Sequence, residues 1–120
     1  EIDIMEYRGQ EPSVVNGTLH GPGYSGINGF TRRYLLDGAR FDADYHDFTV
    51  EWDEDQIKWK VDGQTYHEIK RSYVPGAWVY DHPFYIILNV AVGGGYVGPP
   101  DGSTIFPQSM LVDWVRVYRR

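Results

Sequence analysis

The chain has 120 residues, with 11 Lys and Arg against 17 Asp and Glu, a net charge of −6 and no cysteine. One domain fits this length and two do not fit comfortably, and the acid surplus argues against a nucleic-acid backbone or an anionic membrane surface as partner. Without Cys there is no disulfide framework and no thiolate nucleophile or metal ligand, and no apolar run approaches the ~20 residues of a membrane span.

Aromatic residues make up 16% of the chain and hydrophobic ones 42%, which excludes disorder, collagen and coiled coil. Turn signals recur about every ten residues, the pattern of an all-β chain. The first run, Glu1, Ile2, Asp3, Ile4, Met5, Glu6 and Tyr7, has β patterning from its first residue. Domains usually begin with slack, so Glu1 reads as a cut, with upstream sequence missing. Val14, Val15 and Leu19 mark a second strand ending at His20, and a Gly-rich loop over residues 21–26 follows. Residues 30–36 form a third strand. Phe48, Val50 and Trp52 alternate with Asp47, Thr49 and Glu51, and Ile57, Trp59 and Val61 alternate with Lys58 and Lys60. This alternation assigns Trp52 and Trp59 inward. Asp62 and Gly63 suit a two-residue hairpin turn, because both tolerate positive φ, and residues 64–69 return. Residues 84–92 are nearly all apolar, as in a strand buried on both faces, and residues 110–118 form the last strand. About eight strands with long loops predict an antiparallel β-sandwich of jelly-roll type.

Three acids crowd the first strand. Glu1 and Asp3 share a face by the two-residue period, whereas Glu6 would point away. A β-bulge near Ile4 and Met5 returns Glu6 to that face, and carboxylates so aligned are what a retaining glycosidase needs: one attacks the sugar, the other protonates the leaving oxygen. Crowded like charges must lift one pKa, and Asp3, between the two, could share a proton. Solvated acids on an edge strand would fit the same spacing.

The chain resembles glycoside hydrolase family 16 over essentially its whole length. Glu1-Ile2-Asp3-Ile4-Met5-Glu6 is similar to the bulged active-site strand of its laminarinases, and residues 20–26, His-Gly-Pro-Gly-Tyr-Ser-Gly, to a laminarinase loop. Residues 48–53 and 57–63 resemble the family's Val-Glu-Trp strand and Val-Asp-Gly hairpin; residues 81–94 and 106–118 resemble its later strands. The resemblance implies a concanavalin A-like jelly roll, partial here because upstream strands are missing, with residues 1–120 as the C-terminal half of a single catalytic domain. It implies an endo-β-1,3-glucanase with Glu1 as nucleophile, Glu6 as acid/base and Asp3 as supporting acid. No cofactor is implied for catalysis. His20 matches a cleft residue beside the acid/base, or is a hydrogen-bonded histidine at a strand end. Asn89 is a hydroxyl-binding group or a satisfied core amide. Asp113 matches a calcium-ligating position, or is an ordinary exposed acid; a structural calcium would need six or more oxygens. Trp78, with Tyr80, and Tyr24 sit in Gly- or Pro-containing loops and could edge a sugar groove. The expected partners are a polysaccharide and the missing N-terminal half, with no nucleic acid and no membrane. A polymeric substrate implies a secreted or extracellular setting. Mixed-linkage glucan and agarose stay open as substrates. A non-catalytic β-glucan-binding domain and an inactive fragment remain rivals, although recognition domains of this kind typically lose the glutamates present here.

Overall fold

The computed structural model describes residues 1–119 and divides into two compact units, one from Glu1 to Phe84 and one from Tyr85 onward. The first holds two three-stranded antiparallel sheets. β1 (Ile2–Tyr7), β2 (Val14–Leu19) and β3 (Phe30–Leu35) form one in that order; β4 (Phe48–Trp52), β5 (Gln56–Val61) and β6 (Gln64–Lys70) form the other. Short 3-10 turns interrupt the loops at Gly26–Asn28, Phe41–Ala43 and Arg71–Tyr73. The hairpin at Asp62 and Gly63 forms as its chemistry predicts, with φ of 49° and 81°.

The sheets stack through alternate residues. Leu19 from β2 meets Ile57 and Trp59 from β5 and Ile69 from β6 in one buried cluster, closed by Tyr24, Trp78 and Tyr80. A second cluster joins Val15, Phe41 and Val61, with Met5, Tyr7 and Tyr66 packed against it. Gly17 lets the sheets approach closely: a Cβ there would lie 2.4 Å from the Tyr66 hydroxyl and 2.6 Å from Trp59 Cδ1. Tyr66 reaches this spot because β6 carries an extra residue opposite β5, where Trp59 pairs with His67 but Lys60 with Thr65.

Two expectations need correction. Trp59 is fully buried, but Trp52 remains 41% exposed, its indole N–H donating to the Tyr80 carbonyl at 2.5 Å. It closes β4, where alternation no longer guarantees a covering layer. Six strands are present among the described residues, not about eight. Residues 84–92 and 110–118 form none, and large side chains such as Ile87 and Leu111 are exposed. A strand needs a neighbouring backbone to take up its N–H and C=O groups, and no segment among the described residues pairs with these two. Within the second unit, Asp101 organises a turn by accepting from the Ser103 N–H and hydroxyl, and the Arg116 guanidinium lies 4.4 Å from the Trp114 ring centroid. No helix among the described residues is long and apolar enough to cross a membrane.

Candidate active site

The bulge predicted from the acid spacing is present. Asp3 pairs with Thr18 and Glu6 with Asn16, so three steps on β1 match two on β2. Ile2, Met5 and Tyr7 pack toward the core, Ile4 is left largely exposed, and Glu6 joins Asp3 on the opposite face. Glu1 extends the ladder: its carbonyl accepts from the His20 N–H and its terminal ammonium donates to the His20 carbonyl, each at 3.0 Å. Residues directly opposite in an antiparallel pair share a face. Glu1, Asp3 and Glu6 therefore stand beside His20, Thr18 and Asn16, with Thr31 and Arg33 of β3 in the next row.

Core residues hold this face from behind. A bulge disrupts the local ladder, and the Asp3 carbonyl accepts from the indole N–H of Trp59 at 2.9 Å across the sheet interface. Tyr80 donates its hydroxyl to the His20 carbonyl at 2.7 Å. Burial pushes the Tyr80 phenol well above its ordinary pKa, so it stays a donor at any working pH.

Asp3 sits at the centre of the cluster. Burial first, then the charges of Glu1 and Glu6 and a hydrogen bond with Glu1, lift its carboxyl to about 7, while the terminal ammonium pulls the other way. A protonated Asp3 can donate to the Glu1 carboxylate. His20 Nε2 lies 3.3 Å from Asp3 Oδ2, and its ring packs against Gly29, where a Cβ would fall 2.5 Å from Nδ1. Glu6 accepts from the Thr18 hydroxyl at 2.5 Å, and Thr18 Oγ1 lies 3.0 Å from Thr31 Oγ1. Sequence reading missed Thr18 and Thr31. The available signal was the alternation of Asn16, Thr18 and His20 with the apolar Val15 and Leu19, but assigning those polar residues to the acids required the strand register.

One ligand atom each of Glu1, Asp3 and His20 lies within 4.8 Å of the others, a donor set that could hold a divalent cation. Asp113 belongs to no such group among the described residues and is exposed in the second unit. A calcium site there would need six to eight oxygens, of which Asp113 supplies one carboxylate. Asn89 is likewise exposed in the second unit, outside any strand. Tyr24 and Trp78, expected at a groove edge, are only 1% and 7% exposed and belong to the core. Their Gly- and Pro-containing surroundings read as surface, yet the Tyr24 loop folds back under the sheet end, its hydroxyl 3.1 Å from that of Tyr80.

Residues 1–116 match the family described as glycosyl hydrolases family 16. The chain belongs to that family. It is 40% identical to glucan endo-1,3-beta-glucosidase A1 of Niallia circulans, over 99% of this chain and 19% of that protein. It is 38% identical to the beta-glucanase of Rhodothermus marinus, over 99% of this chain and 44% of that one. The solved endo-beta-1,3-glucanase of Pyrococcus furiosus superposes with a TM-score of 0.85 and 53% identity, over 88% of this chain and 42% of that chain. This family-16 chain thus spans less than half the length of each of these relatives. Its two sheets are part of the jelly-roll sandwich of the family.

Proposed function

We propose that this family-16 chain carries the catalytic strand of a retaining, endo-acting hydrolase of β-1,3-glucan. The observation that carries the reading is the bulge, which sets Glu6 beside Glu1 and Asp3 on one face. Glu1 attacks the anomeric carbon while Glu6 protonates the departing glycosidic oxygen, leaving a glycosyl ester on Glu1. Glu6 then removes a proton from water, and the water displaces the sugar with net retention. Asp3, with its carboxyl lifted to about 7, holds a proton it can lend to Glu1 through their hydrogen bond. His20, at the Glu1 end of β2, orients Asp3 through Nε2 at 3.3 Å. The glucanase relatives support the choice of β-1,3-glucan and, with it, action outside the cell; their greater length supports further strands completing the groove.

The test is release of new reducing ends from laminarin, followed by NMR of the first-formed anomer. Glu1→Gln and Glu6→Gln should each lower turnover by about 100-fold or more, and the first product should be the β anomer. Undiminished turnover in Glu1→Gln, or an α-anomeric first product, rules the mechanism out. Tight laminarin binding without any cleavage would assign the chain to glucan recognition instead.

A further inference from the structure

We infer that Thr18, backed by Thr31, is a positioning residue that serves Glu6 in both of its protonation states; the inference rests on the acid/base role proposed for Glu6. Thr18 is only 2% exposed, so it acts through Glu6 and does not meet the sugar. Its neighbours in the ladder already occupy the backbone groups of β2. The hydroxyl is left for Glu6 Oε2 at 2.5 Å and for the Thr31 hydroxyl at 3.0 Å. Strand pairing fixes this row, since Thr18 stands opposite Asp3 on one side and Thr31 on the other, and the branched Cβ of threonine restricts χ1.

A threonine hydroxyl has one hydrogen to give and two lone pairs to receive. When Glu6 is ionised, Thr18 donates to it and Thr31 donates to Thr18. When Glu6 is protonated, the proton it gives to the leaving oxygen sits on Oε1, and Oε2, now the carbonyl oxygen of the acid, still accepts from Thr18. Both states use the same heavy-atom positions. An acid/base carboxyl gives up a proton in one step and takes one in the next, so this pair holds Oε2 in place throughout the cycle while Oε1 exchanges the proton.

The experiment compares two substrates in the full polypeptide that carries these residues. A laminari-oligosaccharide leaves as an alkoxide and needs a proton from Glu6; laminaribiosyl fluoride leaves with little proton assistance. Initial fluoride release is followed with azide as the second-step nucleophile, so that the base role of Glu6 does not limit it. Thr18→Val should lower kcat on the oligosaccharide by about 10-fold or more, as expected for losing a hydrogen bond to a charged group. KM should stay within about 2-fold and fluoride release within about 3-fold on the same argument that only the acid is misplaced. Thr18→Ser should recover most of the loss. Equal losses on the two substrates, or a Thr18→Ser as impaired as Thr18→Val at equal folded fraction, overturn the inference. If Thr18→Val does not fold, Thr31→Val carries the same test with a smaller expected selectivity of about 3-fold, and equal losses there overturn it too. Glu6→Ala is the control: it should abolish oligosaccharide cleavage yet retain fluoride release. Its failure on both substrates alike would remove the role of Glu6, and the inference with it, before Thr18 is considered.

Discussion

Replacing Asp3 by Asn should stabilise the folded chain at neutral pH and leave it unchanged in acid. In the folded state burial and the neighbouring Glu1 and Glu6 carboxylates lift the Asp3 carboxyl from 3.8 to about 7. The folded state therefore keeps a proton that the unfolded chain releases near the lower value. Below about pH 4 both states are protonated and Asp3 costs nothing. As pH rises from about 4 to 7 the folded state holds the extra proton, stability falls, and above 7 the cost levels off. At 1.36 kcal/mol per pH unit the interval corresponds to about 4 kcal/mol. The Asp3 side chain is 21% exposed, and solvent screening reduces the figure to about 2 kcal/mol. Asparagine does not titrate, still accepts from His20 Nε2 through its amide oxygen, and still donates to Glu1 as the protonated acid does. Urea midpoints of both proteins across about pH 4 to 8 read the effect. The difference in stability should be near zero at the acid end and grow to about 2 kcal/mol, or roughly 8 °C in Tm, at the neutral end. Glu1→Gln should shrink the same difference by removing one of the charges responsible. A difference that stays flat across this range would refute the argument.

Two further predictions concern the scaffold. Gly17→Ala places a methyl 2.4 Å from the Tyr66 hydroxyl and 2.6 Å from Trp59; the overpacking should cost about 1–3 kcal/mol in urea denaturation, and an unchanged midpoint would mean that the sheets are not so closely set. Gly63→Ala meets no atom within 4 Å but sits at φ 81°, so its cost is purely conformational, about 1 kcal/mol; no loss of stability would show the turn relaxing to another form.

The sequence alone determined most of the first sheet and all of the hairpin. Period-two alternation assigned Ile57, Trp59 and Val61 to the core, and Asp62 and Gly63 named their own turn, because both signals are local. The spacing of Glu1, Asp3 and Glu6 pointed to a bulge if the three acids were to act together, since one extra residue brings the third to the face of the first two. Tertiary structure decided what depends on partners distant in the chain. The register of β1 on β2 brought Thr18 and His20 to the acids, and the stacking of the second sheet supplied Trp59 to the Asp3 carbonyl, 56 positions away. Tyr24 and Trp78 went to the core, whatever their loop composition suggested, because the sheet ends needed covering. Residues 84–92 and 110–118 carry the composition of strands without forming them here. Hydrophobic pattern describes which faces a segment could bury, whereas a strand exists only where another backbone completes its hydrogen bonds.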